Sequence, residues 1–185
     1  HRDGNLAGIS TGFIDLDKKM GGLHSSDLII LAGRPSMGKT SLATNIAYSI
    51  AKSFQRRENT DGSSETLNGG FVGFFSLEMS AEQLASRILS ETSEIPSEQI
   101  RRGDMTESEF RRFVDAAKSI ESAPLYIDDT PALTIAQVAS RARRLKRTPN
   151  LGLDVLIIDY LQLVRAASSK ESRVNEISEI TQGLK

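Results

Sequence analysis

An α/β fold, a mostly parallel sheet flanked by helices, is predicted by three observations. Short apolar runs alternate with helix-length amphipathic segments. Three of the runs are nearly continuous, without polar alternation, as strands covered on both faces require. One run leads directly into a glycine-rich segment and then a helix. Strand–helix alternation of this kind implies βαβ units with right-handed crossovers.

The first run, "DLIILAG" at 27–33, reads as a buried strand. "GRPSMGKT" at 33–40 follows, and then a helix from near Thr40 whose stripe is Leu42, Ala43, Ile46, Ala47 and Ile50. The segment 55–70, "QRRENTDGSSETLNGG", is polar and rich in Gly, Ser, Asn and Thr, and reads as a long, mobile surface loop. The second strand is "FVGFFSL" at 71–77. "SAEQ" after it is a capping box, with Ser80 as N-cap and Gln83 reaching back, and Leu84, Ala85, Ile88 and Leu89 continue that helix. A third helix starts at a second capping box, Thr106 to Glu109, and carries Phe110, Phe113, Val114 and Ala117 on one face. The third strand is "PLYIDD" at 124–129, and a fourth helix from near Thr134 follows through Ile135, Val138, Ala139, Ala142 and Leu145. "DVLIIDY" at 154–160 is the fourth strand.

Bulk composition sets limits on this reading. A chain of 185 residues suits one domain with a sizeable core. The net charge of −1 means that a nucleic-acid partner would be met by a local basic surface. The absence of cysteine removes disulfides and thiolate metal sites. No apolar run has the length of a bilayer span, no secretory signal pattern opens the chain, and there is no internal repeat. The chain begins at His1, and Val174, Ile177, Ile180 and Leu184 recur at helical spacing up to its end. These ends predict a piece of a larger protein.

The chemistry is carried first by "GRPSMGKT", which matches the phosphate-binding pattern G-x-x-x-x-G-K-[ST] between a strand and a helix. The nucleotide-binding candidates are Gly33, Arg34, Pro35, Ser36, Met37, Gly38, Lys39, Thr40 and Ser41. The glycines let successive backbone N–H groups approach phosphate oxygens. Lys39 supplies a charge for the β- and γ-phosphates, and the Thr40 hydroxyl reaches Mg²⁺. The pattern by itself does not choose ATP over GTP. "VLIIDY" places Asp159 at a strand end, the Walker B arrangement, in which the aspartate holds the Mg²⁺ shell.

Hydrolysis also needs a group that positions or polarises water. In many P-loop ATPases a carboxylate directly follows the Walker B aspartate, but here Tyr160 does. Glu78, in "FFSLEMS", is the leading candidate, because ligands in such sheets bind outside the carboxyl ends of the strands.

A catalytic glutamate on the strand after the P-loop helix is a feature of RecA-like ATPases. "STGFIDLDKKMGGL", "LIILAGRPSMGKTSLATNIA", "FFSLEMSAEQLASRIL", "PLYIDDTPALTIAQVASRARRL" and "VLIIDYLQL" resemble the ATPase domain of the bacterial replicative helicase, the DnaB family, from about Gly8 to Lys185. The resemblance implies a RecA-like P-loop core and a cytoplasmic, nucleoid-associated bacterial protein. It implies a hexameric ring that hydrolyses ATP with Mg²⁺, moves along single-stranded DNA and unwinds forked duplex, with primase and a helicase loader as partners. It also implies that residues 1–185 are a partial ATPase domain, with the family's N-terminal domain, arginine finger and further strands outside this sequence. By motif match, Glu78 and Lys39 are catalytic, and Thr40 and Asp159 hold the metal. A RecA-like recombinase and a non-motor, ATP-dependent assembly module stay open as alternatives.

The remaining polar groups are read more plainly. Arg141, Arg143, Arg144, Lys146 and Arg147 on the fourth helix read as a solvated cationic face near a helix C-terminus in preference to a phosphate-contacting or subunit-contacting surface. Asp128 and Asp129 either touch the metal's outer shell or cap the turn before Thr134. Phe13 and Leu16 pack, His24 has no assigned role, and 166–175 is a DNA-facing loop or a linker.

Overall fold

The computed structural model describes residues 6–60, 64–148 and 152–160. Its elements run α1 (Ile14–Met20), α2 (Lys39–Lys52), β1 (Gln55–Glu58), β2 (Ser64–Asn68), β3 (Val72–Ser76), α3 (Ala81–Ser93), α4 (Ser97–Arg102), α5 (Glu107–Ser122), β4 (Leu125–Asp128), α6 (Ile135–Arg147) and β5 (Val155–Asp159). Among the described residues, no helix is long and apolar enough to cross a membrane.

The fold is α/β, with a parallel sheet in the order β4–β3–β5 and helices on both sides. β3 is the central strand and every residue in it is buried. Val72 pairs with Leu125 on one side and Val155 on the other, and the β5 register runs on until Ser76 faces Asp159. Side-chain alternation then sorts the core into two layers. Val72 and Phe74 pack with Ala47, Ile50 and Ala51 of α2 and Leu84 of α3, together with Val155 and Ile157. Phe75 and Leu77 pack on the opposite face with Leu133 and with Val138 of α6, alongside Leu156 and Ile158.

The helix starts follow local rules. Ser80 accepts from the Gln83 N–H at 3.2 Å while the Gln83 side chain accepts from the Ser80 N–H at 3.1 Å. Thr106 with Glu109, and Thr134 with Gln137, repeat this reciprocal box at α5 and α6. Each satisfies donors that a helix N-terminus leaves unpaired.

Four features differ from the sequence reading. The run 27–33 is not a strand in the described structure, and Leu28, Ile29, Ile30 and Leu31 are 39%, 48%, 68% and 46% exposed. β5 has β3 on one side and no described strand on the other. Without a paired neighbour, an apolar run has neither ladder nor layer to bury it. The segment 55–70 is no plain loop: β1 and β2 form an antiparallel hairpin. Both strands are exposed throughout, so no apolar alternation announces them. Arg57 pairs with Glu65 at 2.8 Å and Arg56 donates to Ser64 across the two strands. On α5, Phe110 is 53% exposed and stacks on Phe113, while Ala116 is the buried residue of that helix. The short helices α1 and α4 have no counterpart in the sequence reading, and both end on a left-handed glycine, Gly21 at φ 74° and Gly103 at φ 70°.

Before α2 lies a buried carboxylate. Asp17 accepts from the Ser10 hydroxyl at 2.6 Å and from the Thr11 N–H and hydroxyl at 2.9 and 2.7 Å. Burial raises its pKa, but these donors outweigh that effect and hold the carboxyl below its ordinary value.

Candidate nucleotide site

The P-loop joins the 27–33 segment to α2. Gly38 is the N-cap of α2 at φ 83°, in the left-handed region, and no side chain caps the helix. The free backbone N–H groups and the positive end of the helix dipole are therefore available to an anion. A Cβ on Gly38 would meet nothing within 4 Å, so the backbone angle and not crowding favours glycine there. Gly33, Arg34, Pro35, Ser36, Met37 and Gly38 are all exposed, and Lys39 and Thr40 are half-buried. Lys39 Nζ donates to the Gly33 and Arg34 carbonyls, each at 3.0 Å, folding the lysine back over its own loop. Thr44 donates to the Thr40 carbonyl, which leaves the Thr40 hydroxyl uninvolved in that bond. Ser41 is exposed and lines a polar groove with Asn45 and Arg87, where Asn45 donates to Glu91 at 2.8 Å.

Asp159 ends β5 and is 6% exposed. Alternation along β5 puts it on the same face as Val155 and Ile157, the face covered by α2. Its Oδ2 atom is buried and has no hydrogen-bond partner among the described residues. A buried carboxylate oxygen without a donor is costly unless something cationic completes it. That oxygen and the Thr40 hydroxyl are hard oxygen donors of the kind Mg²⁺ takes alongside water and substrate phosphates. Among the described residues there is no group of three His, Cys, Asp or Glu side chains able to hold a metal by themselves.

Glu78 lies two residues beyond Ser76, the partner of Asp159 in the sheet register. The Leu77 N–H donates to the Asp159 carbonyl at 2.8 Å, so the ladder continues one step past β3. Glu78 itself is exposed. The fold thus brings Glu78 and Asp159 to adjoining strand ends. Among the described residues, no hydrogen bond or ion pair joins Lys39, Thr40, Glu78 and Asp159 to one another.

The family comparison decides the kinship of this arrangement. The family model of the DnaB-like helicase C-terminal domain matches residues 8–185. The chain belongs to the DnaB-like helicase C-terminal domain family. It is 52% identical over 181 residues to the replicative DNA helicase DnaB of Rickettsia typhi, covering 98% of this chain and 35% of that protein. It is 41% identical over 186 residues to the DnaB of Geobacillus stearothermophilus, covering 100% of this chain and 37% of that protein. The chain therefore spans little more than a third of the length of these relatives. Among solved structures, a DnaB-like replicative helicase described with its interactions with primase matches with a TM-score of 0.83 at 30% identity, over 99% of this chain and 41% of that one. A second solved structure, described as an ATPase domain, matches with the same TM-score and identity, over 99% of this chain and 60% of that one. The DnaB-like chain has the RecA-like α/β architecture of these neighbours.

Two carboxylates are assigned by the sequence to a metal shell or to the turn before Thr134. Asp128 does serve that turn, accepting from the Thr130 N–H at 3.1 Å. It also accepts from Arg141 at 2.6 Å, and Arg141 donates to the Thr130 hydroxyl at 2.8 Å. Burial raises the Asp128 pKa, but the Arg141 and Thr130 bonds and the guanidinium charge prevail and lower it. Arg141 is thus a half-buried tie between α6 and the end of β4, and not part of a solvated face. Arg143, Arg144, Lys146 and Arg147 are exposed, as the sequence predicts. Asp129 takes a different role, accepting from the Ala81 N–H at 2.9 Å at the start of α3. No sequence signal foretells this contact, because 48 residues separate the two groups. The 166–175 segment lies outside the described residues.

Proposed function

We propose that this chain is the ATP-hydrolysing core of a replicative DNA helicase, a partial ATPase domain over residues 1–185. The observation that carries the reading is the convergence of Glu78 and Asp159 on adjoining strand ends, in a member of the DnaB-like family whose P-loop helix covers the same face as Asp159.

The residues divide the work as follows. The backbone N–H groups between Gly33 and Ser41, Pro35 having none, and the N-terminus of α2 take the phosphates of ATP. Lys39 leaves the Gly33 and Arg34 carbonyls to reach the β- and γ-phosphates. Thr40 and Asp159 would hold Mg²⁺, which would supply charge neutralisation for the phosphates. Glu78 orients the attacking water and accepts its proton, and the γ-phosphoryl group passes to that water, leaving ADP and phosphate. In the whole protein, a hexameric ring would couple this cycle to movement on single-stranded DNA and unwinding of forked duplex, with primase and a loader as partners, in the bacterial cytoplasm. The primase interaction described for one structural neighbour supports this setting.

Glu78→Gln in the full-length protein tests the reading. ATP binding should persist while turnover falls by roughly a hundredfold or more. Unchanged turnover removes Glu78 from the mechanism. A rate that single-stranded DNA fails to stimulate, with ATP still changing oligomeric state, favours an assembly module over a motor. Strand exchange without fork unwinding favours a recombinase.

A further inference from the structure

Glu78 is exposed, yet the segment that carries it is pinned on both sides. On the strand side, the Leu77 N–H is bonded to the Asp159 carbonyl at 2.8 Å. Ser76, only 1% exposed, closes the turn around Glu78: its hydroxyl donates to the Met79 carbonyl at 2.6 Å and accepts from the Met79 N–H at 3.3 Å. On the helix side, the Asp129 carboxylate accepts from the N–H of Ala81, the first residue of α3, at 2.9 Å.

These bonds are not what either partner needs for its own element. α3 already has a complete capping box from Ser80 and Gln83, and Asp129 adds an acceptor from a separate strand–helix connection. A negative charge at the first turn is also favoured by the helix dipole. Ser76 uses both its donor and its acceptor on one residue, Met79, immediately after Glu78. The turn therefore has little freedom to translate, although its carboxylate remains open to solvent.

We propose that Asp129, with Ser76, is a positioning residue for Glu78, fixing the backbone from which the carboxylate reaches its water. This rests on the reading of Glu78 as the catalytic carboxylate. Asp129 touches no reacting atom and acts only through the Ala81 N–H. A displacement of about 1 Å at a catalytic group is enough to cost up to about a hundredfold in rate.

The experiment compares Asp129→Ala, Asp129→Asn, Ser76→Ala and Glu78→Gln in the full-length protein, each alone, and Asp129→Ala combined with Glu78→Gln. Steady-state ATPase rates are set beside affinity for a fluorescent, non-hydrolysable ATP analogue. Asp129 is exposed, so its variants do not open the core. Asp129→Ala should lower kcat roughly tenfold or more, with analogue affinity changed less than about threefold. Asp129→Asn keeps an acceptor oxygen and should recover most of that rate. Ser76→Ala should reproduce the kcat loss without a matching loss of affinity. The Asp129→Ala change should have no further effect once Glu78 is Gln, because it acts through that side chain. The proposal is overturned if Asp129→Ala turns over normally, if Asn fares no better than Ala, if affinity falls as far as kcat, or if the double variant is slower than Glu78→Gln alone. Normal turnover in Glu78→Gln overturns the reading of Glu78 itself and this proposal with it, whereas a collapse there with normal Asp129→Ala overturns only the positioning role.

Discussion

The backbone N–H of Leu77 donates to the carbonyl oxygen of Asp159 at 2.8 Å. This bond makes β3 and β5 end in step, so that the residues following β3 leave the sheet beside the end of β5. Residues 81 positions apart in the chain, Glu78 and Asp159, are thereby set at one edge of the sheet. The electrostatic consequence falls on Asp159, whose buried Oδ2 has no donor among the described residues.

Asp159→Asn follows from that orphaned oxygen. The substitution keeps the volume and replaces a side chain whose buried Oδ2 has no hydrogen-bond donor among the described residues. In the absence of nucleotide, the variant should unfold at the same temperature as the parent or higher, by the equivalent of about 1 kcal/mol. Its Mg²⁺-dependent ATPase activity should be lost. Calorimetry without nucleotide, read beside an ATPase titration with Mg²⁺, checks both halves. A clear drop in melting temperature would mean that Asp159 is structural.

Lys39→Ala separates the loop's fold from its ligand. The two bonds from Nζ go to exposed carbonyls, so their loss should change stability by no more than about 1 kcal/mol. The charge intended for the phosphates would be gone, and a charge-assisted bond is worth about 1.5–3 kcal/mol. ATP affinity should therefore fall by roughly ten- to a hundredfold. Equilibrium binding of a fluorescent ATP analogue and thermal unfolding, measured on the same preparation, give the comparison.

Acid should destabilise the fold through two named carboxylates. Asp17 and Asp128 both have folded-state pKa values lowered from 3.8. The unfolded chain therefore takes up protons first as the pH falls. The stability these groups contribute is complete above 3.8 and is lost as the pH drops through their lowered folded values. Asp17→Asn should be less stable than the parent at neutral pH, by about 1–3 kcal/mol, because an amide meets the Ser10 and Thr11 donors less well. The gap should narrow as the pH falls below 3.8 and the parent's own carboxylate becomes neutral. Arg141→Met should behave similarly through Asp128. Urea unfolding from about pH 7 down to about pH 2.5 measures the convergence, and a gap that stays constant with pH would exclude this origin.

The sequence by itself determined what rests on near neighbours. The Ser80–Gln83 and Thr106–Glu109 boxes, the glycine at the head of α2 and the apolar strands around Val72–Ser76 and Val155–Asp159 are set by bonds spanning a few residues or by continuous burial. Such patterns are readable because the partners lie within one turn or one strand.

Only the tertiary structure decided the rest. Leu28–Leu31 has the composition of a core strand but is exposed among the described residues, because strand identity depends on a paired neighbour. The β1–β2 hairpin has cross-strand partners but no buried face, so its sequence carries no period to read. Asp128 and Asp129 are adjacent and chemically identical, yet one is bound to Arg141 on α6 and the other to the Ala81 N–H on α3. Their roles differ because β4 lies beside β3 in the sheet, and that pairing sets α3 and α6 within reach of neighbouring side chains. Local chemistry supplied the candidate groups, and the long-range register of β3 with β4 and β5 determined which of them meet.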